Sequence, residues 1–374
     1  MPKVILIPDS FKGTMSSAEI CRIMADAVRR HRPAAEVTAL PVADGGEGSV
    51  DAFLAAAGGS RVAAEVTGPF LGERITAHYG RLDDATAVIE MAAAAGLPLV
   101  EGRADPARTT TYGVGESMLA AARAGARRLI VGAGGSATND LGAGAAAAAG
   151  IRFLDAAGDP FVPTGGTLDR VARIDASGLA PELRDCRITV MCDVDNPLCG
   201  DRGAAAVFGP QKGASPDLVR RLDDGLRAAS QVIERDLGTA IADVPGAGAA
   251  GGLGGGLLAF FGATLRPGIE VVLDAVGFDD LLADAELVFT GEGRIDSQSL
   301  SGKVVVGVAR RAKAHQVPVI AVVGDIADGF EGVYDEGVTA VFSINNQAIP
   351  FPEARLRARQ DLALTMDSLM RLTG

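Results

Sequence analysis

One repeated local pattern constrains this chain more than any other feature: a short apolar run, a polar or glycine-rich loop, then a helical segment. Val4–Ile7 runs into Pro8-Asp9-Ser10-Phe11-Lys12-Gly13. A capping-box signature follows, Ser16-Ser17-Ala18-Glu19, with apolar residues at helical spacing through Ile20, Ile23, Met24 and Ala27. Val37–Leu40 repeats the pattern through Pro41-Val42-Ala43-Asp44-Gly45-Gly46-Glu47-Gly48 into a helix through Leu54. Leu129–Val131, Ile188–Met191, Leu287–Phe289 and Val317–Val323 are further strand-like runs, and Glu353–Leu372 reads as an amphipathic closing helix. Apolar runs of this length, alternating with helices, suit an open parallel sheet that binds ligands beyond the carboxyl ends of its strands. The expected fold class is α/β.

Residues 61–91 depart from that pattern. Polar and apolar positions alternate around Thr67-Gly68-Pro69 and Gly72, which predicts hairpin strands and a change of domain. The chain's 374 residues suffice for two ordinary domains or one large one. Nearly half of them are apolar and 49 are glycine, which excludes disorder and suits tight turns and close helix packing. A net charge of −12 argues against a nucleic-acid partner, because neutralising phosphates requires a basic face. It leaves room for a small anion, since only the local charge of a binding site matters there. Tryptophan is absent and tyrosine scarce, so no aromatic platform for bases or sugars is expected. The four cysteines (Cys21, Cys186, Cys192, Cys199) lack zinc spacing and suit reduced thiols in a cytosolic protein. Val4–Ile7 is too short for a signal peptide, and residues 244–265 are too rich in glycine for a membrane helix. The expectation is a soluble, cytoplasmic protein.

The stretch from Leu287 to Lys303 carries the densest chemistry. After the apolar run come Thr290-Gly291-Glu292-Gly293-Arg294-Ile295-Asp296-Ser297-Gln298 and Ser301-Gly302-Lys303, with a helix expected from near Ser301. A small-residue turn lets backbone N–H groups approach an anion, and a helix start aims its positive end at the same place. The turn supplies two carboxylates, Glu292 and Asp296, and two cations, Arg294 and Lys303. Phosphoryl transfer needs that mixture. An ordinary strand-to-helix connection with a surface ion pair fits the same letters.

Five further loops stand out. Gly132-Ala133-Gly134-Gly135-Ser136-Ala137-Thr138-Asn139-Asp140 has the strand–glycine loop–helix context of a phosphate cradle, or of a tight packing turn. Cys192-Asp193-Val194-Asp195-Asn196-Pro197-Leu198-Cys199-Gly200 offers carboxylates for magnesium or a hydroxyl proton, or an Asp-Asn-Pro turn without chemistry. Phe208-Gly209-Pro210-Gln211-Lys212-Gly213 is a loop with a lone cation, followed by a helix from Pro216 to Leu237. Thr109-Thr110-Thr111-Tyr112-Gly113-Val114-Gly115-Glu116 is a hydroxyl-rich loop opening another helix. Gly246-Ala247-Gly248-Ala249-Ala250-Gly251 matches a dinucleotide GxGxxG pattern but follows no strand, so a lid, a hinge or a packing turn is expected. No Walker-type phosphate loop occurs.

Taken together and in order, these loops resemble the bacterial type I glycerate kinase family. The matching strings are Pro8–Gly13, Val42–Gly48, Gly134–Asp140 and Thr290–Asp296, with Cys192–Leu198 and Phe208–Gly213 similar to that family too. One departure is Leu141 in Asp140-Leu141-Gly142, where a small residue is expected. The resemblance implies ATP-dependent phosphorylation of D-glycerate with magnesium. It also implies a discontinuous Rossmann-like domain, residues 1–72 and 282–374, and an inserted α/β domain, residues 73–281, with the cleft between them as the natural site. It favours 2-phosphoglycerate over 3-phosphoglycerate, although no residue decides between them.

Individual roles follow from chemistry and are not settled by the likeness. Lys12, Arg294 and Lys303 suit the hydroxy-acid carboxylate, with Asp9, Ser10 and Glu292 as further substrate contacts; Lys303 and Arg294 are also the catalytic cations. Asp193 is the first candidate to orient the attacking hydroxyl and Asp44 the second. Asp195 and Asp296 suit magnesium. Gly134, Gly135, Ser136, Thr138 and Asn139 suit the phosphates of ATP. Partners are small molecules, with no nucleic acid or membrane, and a homodimer is left open. The alternatives are a kinase of another small hydroxy acid and a non-catalytic sensor of a carboxylate or nucleotide.

Overall fold

The computed structural model describes residues 2–42 and 48–373. The chain divides into two compact units. Met1–Asp44, Asp51–Gly58 and Pro267–Gly374 make the first, and Gly45–Val50 with Gly59–Arg266 the second.

The first unit is built on a five-stranded parallel sheet. Its order is Val338–Ser343, Val319–Val323, Ala285–Gly291, Lys3–Pro8, Glu36–Ala39. Lys3–Pro8 is buried at every position, as expected of an unbroken Val-Ile-Leu-Ile run flanked by strands on both sides. The helix Ser17–His31 follows. Ser16 caps it by accepting from the Glu19 amide, and Arg29, Arg30 and His31 fill its last turn, where cations oppose the helix dipole. Its Ile20, Met24 and Val28 share one core with Leu362, Met366 and Met370 of the closing helix Phe351–Thr373. Each such side chain contributes roughly 1.5–3 kcal/mol on full burial.

The second unit carries a six-stranded sheet ordered Thr264–Arg266, Arg187–Met191, Arg128–Gly132, Thr86–Glu90, Arg74–Arg81, Ser60–Thr67. The first four strands run parallel, and the last two form the antiparallel hairpin that the alternation in residues 61–91 predicts. The helix Pro216–Leu237 spans the expected residues, with Ser215 capping its start, proline in its first turn and Gly238 at φ +72° closing it.

One local expectation changes and another narrows to one of its alternatives. The helix expected near Ser301 begins at Val304, because Ser297–Ser301 forms a 3-10 turn and Gly302, at φ +89°, separates the two. The Gly246–Gly251 stretch is a buried packing turn rather than an exposed lid. Ala250, Gly251 and Gly252 take φ of +53°, +69° and +91°, and a Cβ on Gly251 would lie 2.0 Å from the Thr138 carbonyl oxygen. No helix among the described residues is long and apolar enough to cross a membrane.

Candidate functional site

In the first unit, two loops meet at the carboxyl ends of adjacent strands. Lys3–Pro8 pairs in parallel with Ala285–Gly291, Pro8 standing opposite Gly291. The loops are joined where they leave the sheet: the Asp9 amide donates to the Gly291 carbonyl at 2.8 Å and Thr290 Oγ1 to the Ile7 carbonyl at 2.9 Å. The register therefore sets Asp9, Ser10 and Lys12 beside Glu292, Arg294 and Asp296. A Cβ on Gly293 would lie 3.5 Å from the Lys12 amide nitrogen, so the two backbones run close together.

Lys12, Arg294 and Lys303 are exposed, whereas Asp9, Ser10 and Asp296 are half-buried. Lys303 is the residue just before the first turn of Val304–Ala314. Glu292 is buried, and its Oε1 has no partner. Burial pushes its carboxyl up to about 7; the Asp9 and Asp296 carboxylates add to the rise, while Ser299 and Lys303 oppose it. Glu292 thus sits near its titration point at neutral pH, as a group that donates or accepts a proton should.

In the second unit, the loop after Arg128–Gly132 goes from surface to core in a few residues. Gly134 is half-buried and Gly135 exposed, while Thr138, Asn139 and Asp140 are wholly buried. Asp140 accepts from the Thr111 amide (2.7 Å), Thr111 Oγ1 (2.9 Å), and the amides of Gly142 (3.2 Å) and Gly144 (3.3 Å). Desolvation still outweighs these bonds and raises its carboxyl above the usual range. Thr109 Oγ1 donates to the Ala137 carbonyl at 2.8 Å. The threonine loop therefore braces the glycine loop. Against this scaffold, Thr138 Oγ1 and both carboxamide atoms of Asn139 are buried without partners. Leaving such atoms unpaired costs about 1–3 kcal/mol each, so a fold that retains them calls for a reason.

Lys212 reaches the same loop. Its Nζ donates to Ser136 Oγ and to the Thr138 carbonyl, each at 2.7 Å, and the side chain is wholly buried. Burial brings its ammonium down to about 7, with Asp140 pulling the other way. Sequence reasoning named Lys212 only as a lone loop cation, and Asp140 only within its string. The signal for both was the family-like string around each.

The remaining candidates of the second unit follow the adjacent strand, whose Met191 pairs with Gly132 and accepts from the Ala133 amide at 3.3 Å. Asp193 and Asp195 follow Arg187–Met191 and are exposed, and both oxygens of Asp195 lie 3.1 Å from the Arg202 guanidinium. Asp44 lies outside the described residues. Asp195 belongs to the second unit and Asp296 to the first. Among the described residues no group of three or more His, Cys, Asp or Glu is placed to hold a metal ion. Magnesium does not require one, since it commonly takes one or two carboxylates and fills its shell with phosphate oxygens and water.

The model of the Glycerate kinase family matches residues 4–374. The chain is 49% identical over 354 residues to the glycerate kinase of Bacillus subtilis (strain 168), covering 94% of this chain and 92% of that protein. It is 46% identical over 381 residues to the glycerate 2-kinase of Escherichia coli (strain K12), covering both completely. Among solved structures, a crystal structure from Salmonella typhimurium LT2, provisionally named glycerate kinase 2, matches with a TM-score of 0.88 at 45% identity. That match covers 100% of this chain and 98% of the other.

Proposed function

Because the chain belongs to the glycerate kinase family, we propose that it transfers the terminal phosphoryl group of ATP to D-glycerate, giving 2-phosphoglycerate and ADP. One observation carries the nucleotide half of this reading. Thr138 Oγ1 and the Asn139 carboxamide are buried and unpartnered beyond the carboxyl end of a parallel strand, beside a buried lysine. The 2-position rests on the likeness to the Escherichia coli enzyme's name.

In this reading the Gly134–Asn139 loop holds the nucleotide phosphates through backbone amides, the Ser136 and Thr138 hydroxyls and the Asn139 carboxamide. Lys12 and Arg294 take the glycerate carboxylate, with Asp9, Ser10 and Glu292 around its hydroxyls. Arg294 and Lys303 neutralise charge as it develops on the transferred group. Asp193 orients the attacking hydroxyl, with Asp44 as the second choice. Asp195 and Asp296 are the candidate ligands of magnesium, which would neutralise phosphate charge. The partners are small molecules and the compartment is the cytoplasm.

The test is ADP release coupled to a recorder enzyme, with D-glycerate, ATP and magnesium, and the product read by phosphorus NMR. A phosphoester at carbon 2 is expected. A phosphoester at carbon 3 keeps the kinase and moves the product. Turnover only with a longer hydroxy acid keeps the chemistry and changes the substrate. Ligand-dependent stabilisation with no ADP release overturns catalysis in favour of a sensor.

A further inference from the structure

Phe208–Gly213 is the one family-like string to which the proposed reaction assigns no residue, yet its lysine makes two of the shortest buried contacts in the second unit. Lys212 comes from the 3-10 turn Pro210–Lys212 and crosses 76 residues of sequence to reach Ser136 Oγ. A serine hydroxyl offers one proton and two lone pairs. When the lysine donates to that oxygen, the serine's own proton is left to point at something else, and the partner it suits is an acceptor. The second contact, to the Thr138 carbonyl, fixes the backbone between Ser136 and the unpartnered Thr138 hydroxyl.

We propose that Lys212 is a positioning residue for nucleotide phosphate: it holds the Ser136–Thr138 turn and sets the Ser136 hydroxyl as a donor toward an acceptor-only ligand. The proposal rests on the reading that the Gly134–Asn139 loop takes the phosphates of ATP. Two independent features meet here. One is the paired donation from a side chain that burial would otherwise exclude, since a lysine is almost never fully buried unless it is paired. The other is the set of buried, unpartnered groups on Thr138 and Asn139 next to it, which awaits a polar ligand. A bare packing role explains neither the cation nor the orphaned atoms, because a methionine of similar length would fill the space without desolvating a charge. Phosphate also explains the tolerance of a desolvated ammonium: an anion nearby favours its charged form.

The experiment compares wild type, Lys212→Met, Ser136→Ala and the double variant, with thermal unfolding to establish folding and separate kcat and KM values for ATP and for glycerate. Both single variants are expected to raise KM for ATP about tenfold or more, as loss of a charge-assisted contact would, while KM for glycerate stays within about twofold. The double variant is expected to be no worse than the worse single, because both act through one hydrogen bond. If Ser136→Ala raises KM for ATP while Lys212→Met does not, or the two effects multiply, Lys212 does not act through Ser136 and the inference falls while the loop reading stands. If Ser136→Ala instead leaves KM for ATP unchanged, the Ser136 hydroxyl does not meet phosphate and the inference falls, whereas the loop reading falls only if Asn139→Ala leaves KM for ATP unchanged as well. Should Lys212→Met not fold, Lys212→Gln, which keeps a donor of shorter reach, replaces it and is judged by the same criteria.

Discussion

Thr290 Oγ1 donates to the Ile7 carbonyl at 2.9 Å across 283 residues of sequence. Each is the next-to-last residue of its strand, and the loops carrying Asp9–Lys12 and Glu292–Asp296 leave the sheet one residue later. The bond therefore ties the alignment of two functional loops to the sheet rather than to the loops themselves. Thr290→Val keeps the shape and removes the donor. It should cost about 1 kcal/mol of stability, as loss of a buried hydrogen bond does. Chemical denaturation reads this directly, and a variant as stable as the parent would show that the strand ladder alone holds the loops in line.

Arg294 and Lys303 are exposed, so neither supports the core. Arg294→Met or Lys303→Met should leave the unfolding transition where it is and lower turnover by about a hundredfold or more, because phosphoryl transfer depends mainly on positioning and charge neutralisation. Near-parental rates in both variants would remove this loop from the mechanism.

Asp193→Asn should still bind ATP, measured by calorimetry, while transfer is lost. A variant that no longer binds the nucleotide would move Asp193 from the acceptor hydroxyl to the metal or the phosphates.

Glu292 supplies a pH signature. Burial holds its folded carboxyl near 7, above the ordinary value of 4.5. Between those values the folded protein keeps a proton that the unfolded chain releases, so this group takes stability away as pH rises from 4.5 to 7 and costs a constant amount above that. Glu292→Gln has no such proton. Its stability relative to wild type should increase across the same window, by about 3 kcal/mol at the upper end. Thermal unfolding at pH 4.5, 6 and 7.5 checks the sign, and a difference that stays flat would mean the carboxyl is solvated.

Gly251 makes a steric prediction. It combines φ +69° with a Cβ position 2.0 Å from the Thr138 carbonyl oxygen. Gly251→Ala should destabilise the second unit by about 2–4 kcal/mol, and should also displace the Thr138–Asn139 backbone. A variant of ordinary stability would mean that the turn relaxes away from that loop.

Much of this was legible in the letters, and the reasons are specific. Val4–Ile7 and Leu287–Phe289 read as buried strands because unbroken apolar runs of that length have no other comfortable home in an α/β chain. The capping box at Ser16 announced the start of its helix because a cap depends on a single side chain. The loops were recognisable from their strings. The bracing of Asp140 by Thr111 was not, because hydrogen bonds across 29 residues leave no local pattern. Lys212 illustrates the same limit: one cation in a loop reads as surface, and only the fold shows it buried against Ser136. The late start of the helix at Val304 turned on Gly302 adopting positive φ, which the composition of that stretch permits without requiring.

The strand order of the first sheet has a consequence for how the protein is made. Lys3–Pro8 lies between Glu36–Ala39 and Ala285–Gly291, so one of its two neighbours leaves the ribosome almost at once and the other only after residue 291 has been synthesised. For most of translation this wholly buried strand has an open side, and the residues that will close it do not yet exist. The nascent chain must protect an apolar edge while the whole of the second unit is being added, and the first loop acquires its partner only when the last quarter of the chain arrives.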